Sequence, residues 1–541
     1  MRSFNLTFWH TTPFLLFILF VTPVAIVLFS LTGTYNDNWS HLYNHVLFLY
    51  ISNSIYLVIG VGIIVSIIGT STAWLVTNHD FTGKNFFEWA LILPLAVPPY
   101  ILAYTFTGLF DTFGTANNLV RDIFNLGRDF TLFPKVRNVP GAIIVFSFTL
   151  YPYVYLVSRM AFINQSRSII EAGRTLGLNK TQVFFRLGIP MIRPALIAGV
   201  MLVLMETLSD FGAVDHFAIS TFTTGIFRTW YGLYDIDTAM QLASCLLLFV
   251  IIFLVIERYS RRKATYSNSM SVFRPIKINK LNGINNASAF LACFIPIFIG
   301  FVLPVMELTY WALNYKLDFF NYKFITTAWN TLSLAFLAAV LTTILALLIN
   351  FSTRYKKNKL LANMSSFLTV GYAVPGLILA IGIMQFLTFI DRALTIEFFN
   401  LVLTGSLVGL VFAYVIKSYA LSNSALESGY HRINHKIDDV SRTLKSSGWS
   451  MLTYIHSPLL KTSLLTSLLL VFSEVIKELP ATLVLRPFNF DTLAVYTYIF
   501  AAEERMFDAA APSIAIVAVG LIPIIILTRI IRNSRPASRE I

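Results

Sequence analysis

Long apolar runs broken by short polar segments set the pattern of this chain. Twelve of the runs are long enough to cross a bilayer, which takes about 20 apolar residues in a helix. They fall at 13–32, 54–78, 87–110, 139–160, 194–214, 238–257, 288–311, 330–350, 364–390, 399–422, 459–484 and 511–531. The first follows Arg2 and has the look of a signal peptide. It is long, however, and no small-x-small cleavage pattern follows Leu31, so it reads as a retained helix. The predicted fold is all-α and membrane-integral, with about 12 transmembrane helices.

An even number of crossings puts both termini on one side, and basic residues choose the side. The segments sharing a face with the N-terminus hold 28 Lys and Arg, the opposite set 10. The richer set belongs in the cytoplasm, so both termini are expected there.

The pattern also repeats. A polar, basic linker at 258–287 divides the runs six and six. Asn53-Ser-Ile-Tyr-Leu57 matches Asn330-Thr-Leu-Ser-Leu334 at an offset of 277, as Ala96-Val-Pro-Pro99 matches Ala373-Val-Pro-Gly376. Further on the offset becomes 268, which pairs Arg174-Thr-Leu176 with Arg442-Thr-Leu444, Pro190 with Pro458, Glu206 with Glu474, and Asp210 with Glu478. The expectation is two tandem six-helix repeats, 1–257 (core 50–257) and 288–541 (core 327–531), related by a pseudo-two-fold axis along the membrane normal. A pathway is expected between them.

Composition narrows the class. Of 541 residues, 56% are apolar and 12% charged, against roughly 25% charged in ordinary soluble domains. Mean hydropathy is +0.70. A soluble multidomain enzyme and a disordered chain are both excluded. The net charge of +13 reflects basic cytoplasmic loops rather than nucleic-acid binding. Cys245 and Cys293 sit in apolar runs and offer neither a disulfide framework nor a metal cluster.

One polar segment carries a signature. Between runs four and five, Glu171-Ala-Gly-Arg-Thr-Leu-Gly177 leads to Pro190. It reads as two short helices with an elbow. Residues 167–176 form the first, and Gly177 allows a left-handed turn. Asn179 and Gln182 fit a capping box. The second helix shows Val183, Phe184 and Leu187 on one side, and Pro190 stops it. Such an element is either a surface-lying amphipathic helix or a docking knob.

Glutamate–alanine, glycine six residues on and proline thirteen further resemble the EAA loop of binding-protein-dependent ABC importer permeases. Glu171, Ala172, Gly177 and Pro190 match that loop, with Gly173 in place of its usual second alanine. The second copy is degraded. Asp439 takes the glutamate position, Lys445 replaces the elbow glycine, Gly448 offers the turn three residues later, and Pro458 is kept. Lys477-Glu-Leu-Pro-Ala-Thr-Leu-Val-Leu-Arg486, and Leu204-Met-Glu-Thr-Leu-Ser-Asp-Phe-Gly-Ala213 in the first half, look like ferric-iron permeases of this family.

The resemblance implies coupling helices that dock on two ATP-binding subunits at the cytoplasmic face. It also implies a substrate-binding protein on the outer face and a place in the bacterial inner membrane, in contact with lipid. No Gly-x-x-x-x-Gly-Lys-Ser/Thr loop occurs, so the chain is expected to hold no cofactor and to be no enzyme. ATP and magnesium are left to the partners.

Two acid pairs stand at matching depth in apolar runs five and eleven: Glu206 with Asp210, and Glu474 with Glu478. Each pair is spaced i, i+4, which puts both carboxylates on one helix face. Buried ionised groups are costly and usually face a wet cavity or a partner. An acidic cation path is one reading, and hard ferric ion suits carboxylate oxygen. Pairing with Lys477, Arg228 or Arg486 is the structural reading. Lys417 reads as a snorkelling interface residue. His41-x-x-x-His45 lacks the glutamate of a zinc protease, and no metal site is firmly assigned. The remaining alternatives are another cargo (thiamine, a polyamine or an oxyanion) or a proton-coupled secondary transporter. The EAA loop argues against the last.

Overall fold

The computed structural model of the protein describes residues 8–163, 173, 175–261, 279–315, 321–395, 403–446 and 448–533. Helix dominates them. Nine helices are long and apolar enough to cross a membrane alone, and two bent pairs bring the number to eleven. The last expected crossing lies in Ala510–Asn533, of which Ala510–Ile526 forms a shorter apolar helix.

All twelve apolar stretches hold helix, but several are not straight rods. The third is Lys84–Ala96 and Pro99–Phe124, bent by 88°. Pro98 and Pro99 lack the N–H groups that would continue the ladder, and residues before proline avoid helical backbone. The ninth breaks at Val374, ahead of Pro375, between a short helix over Lys359–Leu368 and one over Gly376–Thr395. The eleventh bends by 80° between Trp449–Leu459 and Lys461–Ile476.

Helix starts are marked by polar caps. Asn321, Asn358, Ser406 and Asn434 each accept a hydrogen bond from a backbone amide of the first turn (3.2, 2.9, 3.2 and 3.0 Å). In the apolar interior, small hydroxyls and amides tie spans together. Ser467 Oγ lies 2.9 Å from Thr343 Oγ1 and 2.6 Å from Ser422 Oγ, while Asn350 donates to Asn423 at 2.8 Å.

The leading helix of each half crosses to the other half. Phe8–Phe29 packs on Lys359–Leu368 and Gly376–Thr395, and Trp9 nests between Phe351 and Trp449 (ring centroids 4.8 and 5.1 Å). In return, Ile284–Ile297 packs on Leu47–Asn78, and Leu303–Asn314 on Pro99–Phe110. A two-residue parallel ladder, His79–Asp80 against Asn279–Lys280, fastens the end of the linker beside the first half. Asn286 and Thr82 lock it with two hydrogen bonds of 2.9 Å.

Backbones meet closely where the first helix crosses Gly376–Thr395. A Cβ on Gly382 would be driven into the Pro23 carbonyl, a backbone atom that cannot swing aside. Overpacking of this kind costs about 1–3 kcal/mol. Gly382→Val is therefore expected to lower the thermal unfolding midpoint in detergent, whereas Gly405→Val, where a Cβ meets nothing within 4 Å but φ is +76°, should cost only local strain.

Candidate functional site: a charged cavity between broken spans, and two elbows

The helix Ile189–Ser209 ends inside the apolar layer, and the short helix Gly212–His216 follows it. Starting a new helix there leaves its first backbone amides without a partner in the helix. Asp210 takes them, its Oδ1 accepting from Ala213 N (2.8 Å) and Val214 N (3.4 Å). The second half does the same. Lys461–Ile476 ends, Pro480–Leu485 begins, and Glu478 accepts from Ala481 N and Thr482 N, both at 3.1 Å, and from Thr482 Oγ1 at 2.8 Å. The i, i+4 acids thus do not share one continuous helix face, as the spacing predicted. Each helix stops between its two acids, and the second acid of each pair caps the next helix.

All four acids still line one cavity of ≈ 70 Å³, along with Pro98, Pro99, Tyr100 and Tyr153. Two lysines share it. Lys417 Nζ lies 3.3 Å from Glu478 Oε1, and Lys477 Nζ lies 3.0 Å from Glu474 Oε2. Lys417 is therefore buried in an ion pair and does not snorkel; its neighbours in the apolar run hold it at cavity depth. Glu206 Oε1 accepts from the Tyr372 hydroxyl at 2.6 Å, a contact between the halves. Arg228 and Arg486 are occupied elsewhere, with Ser220 and Asp491. Of the expected partners for the acids, Lys477 alone serves.

A matched pair of asparagines holds the segments after the breaks. Asn53 Nδ2 donates to Ser220 O (2.9 Å), and Asn330 Nδ2 to Asp491 O (3.3 Å). These two asparagines opened the repeated segments in the sequence.

At the first elbow, Glu171 and Ala172 lie outside the described residues. Gly177 has φ of +84°, and Leu178 N closes the turn on Gly173 O at 3.1 Å. The capping box is formed in both directions, Asn179 N to Gln182 Oε1 (3.0 Å) and Gln182 N to Asn179 Oδ1 (2.8 Å). Two expectations fail here. Pro190 does not stop the helix. A π-helical turn at Phe184–Gly188 precedes it, and the helix runs on through Thr181–Ser209, because proline is tolerated where the local amide ladder is already shifted. Val183 and Phe184 also turn inward, Phe184 against Trp74 (ring centroids 5.1 Å). The exposed apolar residues are instead Leu176 and Phe185.

The second elbow uses both candidate turn positions, with Lys445 at φ +59° and Gly448 at +58°. A π-helical turn recurs at Leu452–His456, before Pro458. Leu444 is exposed, as its counterpart Leu176 is. Asp439 is exposed too, but Asp438 beside it is 3% exposed. Its carboxylate receives Arg354 through Nε (2.7 Å) and Nη2 (3.2 Å), with His456 Nε2 at 3.3 Å. Arg354 also donates to Tyr430 O and Ile433 O (2.9 and 3.0 Å), so one guanidinium joins two helix ends to the elbow. Sequence reasoning missed this pair, whose members are 84 residues apart. The rings of His41 and His45 lie 5.0 Å apart, and no group of three or more His, Cys, Asp or Glu among the described residues is arranged to hold a metal.

Two outcomes follow. A left-handed backbone costs a lysine roughly 1–2 kcal/mol, so Lys445→Gly is expected to raise stability by about 1 kcal/mol in thermal or denaturant unfolding. Arg354→Met strands a buried carboxylate, for which about 3–5 kcal/mol is typical. That loss should be largely recovered in Arg354→Met/Asp438→Asn, measured the same way.

Comparison with known proteins bears on the class. Residues 59–265 match the family model of the binding-protein-dependent transport system inner membrane component. The chain is 26% identical over 495 residues to the Fe(3+)-transport system permease protein FbpB 2 of Haemophilus influenzae, covering 88% of this chain and 89% of that one. It is 25% identical over 480 residues to the ferric transport system permease protein FbpB of Actinobacillus pleuropneumoniae, covering 84% and 66%. A shorter likeness, 27% over 187 residues and 34% of this chain, links it to the molybdenum transport system permease protein ModB of Haemophilus influenzae. The first-half match, and the likeness that runs on through the second half, make this chain similar over most of its length to binding-protein-dependent ABC importer permeases of the inner membrane, the ferric transport permeases among them.

Proposed function

We propose that the chain carries ferric iron inward by alternating access, driven by two ATP-binding subunits beneath it and fed by a binding protein on the outer face. The observation that carries the cargo is the likeness to ferric transport permeases over 88% of the chain. The acid-rich cavity supports it, since carboxylate oxygen suits a hard cation. Glu206 and Asp210, on one wall, and Glu474 and Glu478, on the other, are the pathway acids. The basic face is the cytoplasmic one, with both termini on it.

Coupling belongs to the two elbows. In the first, Glu171, Ala172, Gly177 and Pro190 shape the docking element; in the second, Asp439, Gly448 and Pro458. The exposed Leu176 and Leu444 give each elbow an apolar contact for its ATPase. The π-helical turns beyond them join the docking elements to the spans that end at the cavity. ATP and magnesium are bound by the partners.

The test is native purification through a C-terminal tag, with subunits counted by mass spectrometry and radiolabelled iron uptake measured alongside. Two ATPase copies per chain are expected, lost in Glu171→Lys/Asp439→Lys. Glu206→Gln should lower uptake by at least about tenfold, given the charge it removes from the cavity, with assembly intact. A chain that purifies alone, and whose uptake a proton uncoupler abolishes, would overturn the proposal in favour of a proton-driven carrier.

A further inference from the structure

The cavity is electrically lopsided. Both of its lysines come from the second half. The offset of 268 that pairs Glu206 with Glu474 and Asp210 with Glu478 also pairs Thr149 with Lys417 and Ser209 with Lys477. All four of those residues line the same cavity. Where one wall has ammonium groups, the other has hydroxyls.

The acids divide accordingly. Glu474 and Glu478 are 9% and 5% exposed, and each is ion-paired to a lysine. Glu206 and Asp210 are more accessible. Among the described residues, Glu206 is held by the Tyr372 hydroxyl and Asp210 by two amides, and neither has a lysine, arginine or histidine in ion-pair contact.

We propose that Lys417 and Lys477 are resident counter-cations that set the cargo selectivity of the cavity, holding the second-half acids closed so that an incoming cation is taken first by Glu206 and Asp210. This rests on the cation reading of the cargo. Four carboxylates free to converge on a hard trivalent ion would hold it too tightly to release. Two tethered ammonium groups compete for half of them, and their repulsion weakens the bound state. The ammonium groups move aside or stay, but they cannot diffuse away, so the competition is restored after every passage. The asymmetry also gives the passage an order, with the unpaired wall taken before the paired one.

The test uses the whole complex, with its ATPases and binding protein, in nanodiscs. Ferric nitrilotriacetate is the probe, retained iron is counted by elemental analysis, and uptake is followed in proteoliposomes. Lys477→Met is expected to lower the half-saturating iron concentration by roughly tenfold or more and to slow turnover, while Lys477→Arg, which keeps the positive charge, should not tighten iron binding in this way. Ser209→Lys and Thr149→Lys give the first wall the cations of the second. They leave no acid stranded, and they should raise the half-saturating concentration by a similar factor. Unchanged iron affinity in folded Ser209→Lys and Thr149→Lys complexes would overturn the inference, whatever Lys477→Met does. A parent complex that takes up no iron but carries molybdate, and loses it in Lys417→Met and Lys477→Met, would overturn both this inference and the ferric reading. A ferric importer indifferent to all four substitutions would overturn the inference alone.

Discussion

A helix that starts inside the membrane leaves its first amides with no water to bond, and the architecture of the cavity follows from how those amides are satisfied. A carboxylate does it in each half, Asp210 for Ala213 and Val214, Glu478 for Ala481 and Thr482. A carboxylate at that depth then needs its own stabilisation. Lys417 supplies it for Glu478, which is why a lysine stands in the middle of an apolar span. Among the described residues Asp210 has its two amides and no lysine in ion-pair contact, and that difference underlies the charge asymmetry across the cavity. Glu206 and Glu474 lie one turn earlier; Glu206 meets Tyr372 across the halves, and Glu474 meets Lys477 within its own segment, three residues on.

The fold could be read from the sequence to the extent that it depends on local composition. Every span is a run of apolar residues, and every such run holds helix. The breaks were visible as Pro98, Pro99 and Pro375, though only as kinks, since proline alone does not say how far a helix turns. The end of the helix at Ser209 was hidden, because i, i+4 acids fit a continuing helix as well as a terminated one. Lys417 was misread for a related reason. A single lysine in an apolar run looks alike whether it reaches for the interface or for an acid, and its partner Glu478 lies 61 residues along the chain. Asp439 drew attention through its place in the motif. The organising acid is Asp438, and what marks it is Arg354, a distant residue that no spacing rule connects to it. Capping and turns were the best-read parts of the elbows, because Gly177, Asn179 and Gln182 act within a few residues of one another.

The elbows themselves differ in rigidity of connection. The first runs into its span as one helix, Thr181–Ser209, while the second meets its span at an 80° bend. A push on the first elbow travels along a continuous rod. A push on the second turns a corner at Leu460, and the elbow ahead of that corner is tied through Arg354 and Asp438 to the end of Leu407–Arg432.

The crossing of the leading helices bears on which parts of the molecule can move as units. Phe8–Phe29 is seated on spans of the second half, and Ile284–Asn314 on spans of the first, each tail reaching over the midline like clasped forearms. Each leading helix also packs on its own half, Phe8–Phe29 on Ile236–Arg261 and Leu303–Asn314 on Ala510–Asn533, so it is held by both halves at once. Pulling the halves straight apart would strip Trp9 from Phe351 and Trp449. Pivoting about the clasp would leave those contacts whole while the far ends of the spans part, so the chain is built to tilt rather than to separate.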